Sequence, residues 1–154
     1  MIKYIKNEVN VVFSEIPDEV TLAINISNCQ FRCKGCHSLH LRNDIGDELT
    51  CNVIDDLIKS NDGITCVCFM GVGNDQIELL NLGKYIKTKY PNLKLGVFYG
   101  SFYGLHPEFK ELFDYVKLGE YNEKLGPLNK ETTNQRLYYH NMDITFKFWK
   151  KVSL

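Results

Sequence analysis

Val20-Thr21-Leu22-Ala23-Ile24-Asn25-Ile26-Ser27-Asn28-Cys29-Gln30-Phe31-Arg32-Cys33-Lys34-Gly35-Cys36 carries a β-branched, almost wholly apolar segment straight into a loop with three thiols. Residues 20–26 show little polar alternation. That is the pattern of a strand covered on both faces, as in a parallel sheet. Ser27 and Asn28 then open a loop whose cysteines are spaced C-x3-C-x2-C. In parallel α/β architectures ligands collect at the carboxyl ends of strands, so this loop stands where chemistry is expected.

Working outward, the same kind of strand recurs at residues 64–70, 93–99 and 114–118. Helices are expected between them. One covers 52–60, N-capped by Thr50, with Val53, Ile54, Leu57 and Ile58 as its apolar stripe. A second covers 76–90, with Ile77, Leu80, Tyr85 and Ile86 on its inner face, and is stopped by Pro91-Asn92. A short third, 107–113, opens on a proline at a favourable first-turn position. Upstream, residues 2–16 read as an edge strand or hairpin before a turn at Pro17-Asp18. Downstream, the chain reads as loop to Thr133, and a half-buried final strand is expected over 143–149 from the alternation of Ile144, Phe146 and Phe148.

Strand and helix alternate, which predicts one α/β domain over 1–154 with a mostly parallel sheet. A closed (β/α)8 barrel takes about 200 residues at least, and the chain has 154. Any barrel is therefore expected to be partial and open. The four loops after the long strands share one rim: the cysteine loop, Gly71-Val72-Gly73-Asn74-Asp75, Tyr99-Gly100-Ser101 and Lys117-Leu118-Gly119.

Composition narrows the function classes. The chain is 44% hydrophobic and 24% charged, and 18 basic against 19 acidic residues leave a net charge of -1. Such balance gives no long-range attraction for nucleic acid or an anionic membrane, and no Lys/Arg block reads as a binding arm. No apolar run approaches the roughly 18 residues of a membrane span, and the first ten residues lack a signal-peptide core. Six cysteines without a secretory signal point to the reducing cytoplasm and metal ligation rather than to disulfides. A cytoplasmic chain without nucleic-acid or membrane partners is expected.

Three thiolates leave a tetrahedral zinc ion one ligand short. A four-iron cluster held by thiolates can be carried by three, which leaves one iron open to a small molecule. Reduced structural thiols, or zinc completed by a fourth ligand elsewhere, are the alternatives.

The spacing and the strand before it resemble the radical S-adenosylmethionine (SAM) superfamily. Gly35 before the last cysteine, together with Asn134-Gln135-Arg136, is similar to the small activating proteins of anaerobic ribonucleoside-triphosphate reductase, over about residues 16–150. The resemblance implies an open partial (β/α) barrel of the radical SAM type, with a [4Fe-4S] cluster on Cys29, Cys33 and Cys36 and SAM on the open iron. It implies reductive cleavage of SAM, a one-electron donor such as a flavodoxin, and a glycyl radical installed on a glycine-bearing loop of the partner reductase.

The same resemblance sets the Gly71–Asp75 loop at the superfamily's Gly-Gly-Glu/Asp-Pro stretch and makes Gly71, Gly73 and Asp75 candidate SAM contacts. Here Val72 interrupts the glycines, Asn74 precedes the acid and no proline follows; a strand-to-helix turn accounts for the two glycines equally well. Tyr99 is a candidate for the adenine or for the core. Lys117 is a candidate for the SAM carboxylate or for a solvated strand end. Arg136 would hold SAM or a partner, or form a surface ion pair. His37 would hydrogen-bond near the cluster or stand in solvent. Cys66 and Cys68 share one face of a strand and read as buried thiols, and Cys51 as incidental. The competing functions are activation of another glycyl-radical enzyme, a small-molecule radical SAM reaction, or a non-enzymatic zinc or iron–sulfur module with Cys66 or Cys68 as fourth ligand.

Overall fold

The apolar run before the cysteines forms a strand buried at four of its five positions. It lies in a computed structural model that describes residues 1–36 and 38–149. The strands are β1 (Lys3–Tyr4), β2 (Asn10–Val12), β3 (Thr21–Asn25), β4 (Asp47–Glu48), β5 (Cys66–Met70), β6 (Lys94–Tyr99), β7 (Tyr115–Leu118), β8 (Arg136–Tyr139) and β9 (Met142–Asp143). The α-helices are α1 (Cys51–Lys59), α2 (Gln76–Lys89) and α3 (Glu108–Leu112).

Seven strands form one sheet in the order β2-β3-β5-β6-β7-β8-β9. Its centre, β3-β5-β6-β7, is parallel. Each parallel step needs a crossover, and α1, α2 and α3 lie in those connections. Antiparallel β2 flanks one side, β8 and β9 the other. Among the described residues no pairing closes the sheet on itself, so the fold is an α/β sheet with a parallel centre. A second ladder, β1 with β4, pairs antiparallel and is tied to the end of β3 by a bridge from Tyr4 to Ile26.

The sheet carries a different core on each face. Leu22 and Ile24, Val67 and Phe69, and Leu95 and Val97 pack with Ile54 of α1, Leu79, Leu80 and Ile86 of α2, and Phe109 of α3. The helices are cut to fit that face. The Thr50 side chain accepts from the Val53 amide at 3.2 Å and caps α1, as the sequence predicts. The inner stripe of α2 differs from expectation: Leu79, Leu80, Leu82, Gly83 and Ile86 are buried, whereas Ile77 is 53% exposed.

The opposite face is built in rows set by the strand register. The upper row is Asn25, Met70, Phe98, Lys117 and Leu137; the middle row is Ala23, Cys68, Gly96, Tyr115 and Tyr139; the lower row includes Thr21, Cys66 and Lys94. Ile16 enters the middle row from the segment before β3. A Cβ on Gly96 would stand 2.9 Å from its Cδ1, so glycine makes the room that Ile16 fills. Ile144 completes this second cluster with Cys66, Cys68, Tyr115 and Leu137.

The C-terminal part departs from the sequence reading. β8 pairs with β7 in a stretch, 134–142, to which the sequence reading assigns no element. The expected strand over 143–149 is instead the tail of β9 followed by a 3-10 helix, Thr145–Phe148. Thr145 decides this: its hydroxyl accepts from the Leu137 amide at 2.8 Å and donates to Asp143 at 2.6 Å, which curls the chain back under β8. Among the described residues no helix is long and apolar enough to cross a membrane.

Candidate functional site

At the carboxyl ends of β3, β5, β6 and β7 the upper row opens into a cavity of ≈ 280 Å³. Asn25, Met70, Phe98 and Lys117 form its base, and Cys29, Cys33 and Cys36 stand in its wall. The three thiols are partly exposed. The sequence reading therefore brings its metal-ligand candidates to one place, above a row that only the register reveals.

The cysteine loop is held from behind by residues 38–44. The Cys29 amide donates to Leu41 O at 2.7 Å and the Asn28 amide to Asn43 O at 3.2 Å. Arg42 donates through Nη2 to Cys33 O at 2.9 Å, and the Ser38 amide donates to Cys36 Sγ at 3.4 Å. Asn28, at φ 61°, turns the chain out of β3 in a conformation that asparagine tolerates. From within the loop, Arg32 donates to Cys29 O at 2.9 Å and to Phe31 O at 3.0 Å.

Lys117 is the one cation among the described residues of the cavity wall. It is 7% exposed and donates to Gly119 O at 3.1 Å. Its Nζ lies 5.6 Å from the centre of the Phe98 ring. Burial pushes its pKa down to about 8, while the thiols of Cys33, Cys68 and Cys29 pull the other way. A buried ammonium with so little compensation favours an anion in the cavity.

Gly71 and Gly73 both line the cavity, at φ 116° and 62°, where glycine is at ease and other residues are strained. Asp75 is not in the cavity wall. Its carboxylate accepts from the Glu78 amide at 3.0 Å and caps α2. Asp75-Gln76-Ile77-Glu78 is the D-x-x-E pattern of a helix start, a signal the sequence already carried. Tyr99 belongs to the buried core cluster, and it also lines the cavity and packs edge-on against Phe31.

Arg136 stands away from the cavity, 3.7 Å from Asp143 and over the Trp149 ring. Its neighbour Gln135 is in the wall instead, 7% exposed. Gln135, Asn25 and Met70 are cavity residues that sequence reasoning missed; Asn25 and Met70 are placed by strand register, which composition does not encode, and Gln135 by the segment just before β8. Cys66 and Cys68 are fully buried below the cavity, in the middle and lower rows. Burial pushes the Cys66 thiol up to about 12 and that of Cys68 well above its ordinary value, as expected of inert core thiols. His37 lies outside the described residues.

Among the described residues no group of three or more His, Cys, Asp or Glu side chains is placed to hold a metal ion. The loop thiols thus share a cavity without meeting at one point. No protein family, curated protein or solved structure compared with the chain matches it.

Proposed function

We propose that the cavity holds a [4Fe-4S] cluster on Cys29, Cys33 and Cys36 with SAM beside it, and that the protein is a radical SAM activase for a glycyl-radical enzyme of the anaerobic ribonucleoside-triphosphate reductase kind. One observation carries the reading: three thiols from one loop face the same cavity as a buried ammonium and two glycines of positive φ. Three thiolates leave a zinc ion one protein ligand short, whereas a four-iron cluster held by Cys thiolates can be carried by three.

When bound, such a cluster with SAM supplies one-electron cleavage of the sulfonium and, from it, hydrogen-atom abstraction. The chain's own part is to bind and orient. Lys117 offers its ammonium to an anion, which the SAM carboxylate or the cluster's negative charge would provide. The backbone at Gly71 and Gly73 admits a ligand closely because no Cβ intervenes. Phe31, Tyr99 and Phe98 keep water from the reacting centre. The strand order leaves the sheet open, so a partner's glycine-bearing loop has a way in, and a flavodoxin-like donor would supply the electron.

Anaerobic iron–sulfur reconstitution, followed by electron paramagnetic resonance of the reduced protein with and without SAM, tests this reading. A [4Fe-4S]+ signal that shifts on adding SAM is expected. Zinc on four thiolates, or a cluster indifferent to SAM, would overturn it.

A further inference from the structure

Resting on that reading, we infer that Arg42 is the positioning residue of the cysteine loop: its guanidinium fixes the central ligand, Cys33, and sets a fixed positive charge behind the cluster. Cys29 and Cys36 are each secured by a backbone amide, Cys29 through its own N–H to Leu41 O and Cys36 through the Ser38 N–H to its sulfur. Cys33 has one side-chain tie from the backing segment, and Arg42 supplies it, at 2.9 Å across nine residues of chain. The backing segment is itself anchored. Asp44 accepts from Asn28 Nδ2 at 3.1 Å and pairs with Lys3 at 2.9 Å, so a pull on Arg42 is transmitted to β1 rather than absorbed by a free loop.

Stability alone does not call for this side chain. Arg42 Nε is buried with no partner, and a buried donor left unsatisfied destabilises the fold. An apolar residue of similar length would avoid that loss. What the guanidinium adds is a directed donor and a positive charge. Cluster potential responds to net charge and to hydrogen bonds around the sulfurs. A fixed cation favours the more negative, reduced state and so raises the potential.

The test compares wild type with R42Q, R42M and R42K, in the apo protein and after reconstitution. R42M keeps the aliphatic stem and carries the test if R42Q does not fold. In the apo protein, hydrogen exchange over residues 29–36 is expected to be several-fold faster in R42Q and R42M, with R42K between them and wild type. After reconstitution and desalting, R42Q is expected to keep less than half the wild-type iron, at a lower midpoint potential, with R42K partly restored. Wild-type exchange, iron content and potential in R42Q and R42M would overturn the inference. If wild type itself assembles no cluster, the proposed function fails, and the apo exchange alone decides whether Arg42 holds the loop.

Discussion

Phe31 stands edge-on to Tyr99, with ring centroids 5.1 Å apart and planes at 87°. The contact pins the middle of the cysteine loop to the end of β6. Gly100 makes it possible, since a Cβ there would lie 2.7 Å from Phe31 Cδ2. An edge-to-face pair contributes about 0.5–1.5 kcal/mol beyond area burial. Phe31→Ala should therefore cost about 1–2 kcal/mol in a denaturant titration, and G100A should destabilise in the same direction by forcing the ring aside. A wild-type midpoint for both variants would show that the loop does not depend on this contact.

Asp55 gathers three donors: Tyr85 Oη at 2.6 Å, Lys89 Nζ at 2.9 Å and Tyr90 Oη at 2.6 Å. Hydrogen bonds from Tyr85, then Tyr90 and Lys89, hold its carboxyl well below the usual range. A carboxylate whose pKa is depressed in the folded state stabilises above its unfolded value, about 3.9, and that stability fades as pH falls through the folded value. D55N should be less stable than wild type at pH 7, and the gap should narrow below about pH 4. Urea midpoints between pH 2.5 and 7 measure it; a constant gap would remove Asp55 as the acid-sensitive group.

Lys117 works in the opposite sense. Its folded pKa, about 8, lies below the unfolded value of about 10.4. The buried ammonium therefore destabilises the ligand-free fold fully below pH 8, and the effect is relieved as pH rises toward 10.4. K117M should stabilise the ligand-free protein at pH 7 by about 1–3 kcal/mol, with the gain shrinking across that window. The same variant should weaken binding of an anionic ligand. Thermal melts from pH 7 to 10.5, with and without SAM, separate the two effects.

Cys66 and Cys68 pack with Ile16, Leu137 and Ile144, away from the cavity wall. C66A and C68A should each cost about 1–2 kcal/mol for lost packing and leave iron content after reconstitution unchanged, while C29A should abolish it. Loss of metal in C66A or C68A equal to that in C29A would instead favour the binding-module reading.

The parallel centre was legible because Val20 to Ile26 and its later counterparts are long apolar runs separated by stretches with helical apolar spacing. Such runs announce burial but not facing. Whether Lys117 ended in solvent or over the cavity was undecidable until its register with Phe98 was known. The C-terminal part misled for a different reason. Apolar residues at 144, 146 and 148 fit a strand, yet one hydroxyl, on Thr145, curls that stretch into a 3-10 helix. The β8–β9 hairpin had a readable signal in His140-Asn141, both at positive φ, since a two-residue turn of that kind favours asparagine. That the three loop cysteines share one strand end could be read from the sequence, whereas the contact of Arg42 with Cys33, nine residues away, comes only through folding.

The sheet ends in strands of three residues at β2 and two at β9. A strand added from another molecule would find only a few free amides and carbonyls to register against, too short a template to propagate. The broad apolar strands that build the cavity are all internal, each flanked by neighbours on both sides. Edge-to-edge polymerisation, the standing hazard of an open sheet, is thereby confined to two stubs, and the sheet stays open without becoming a seed for fibres.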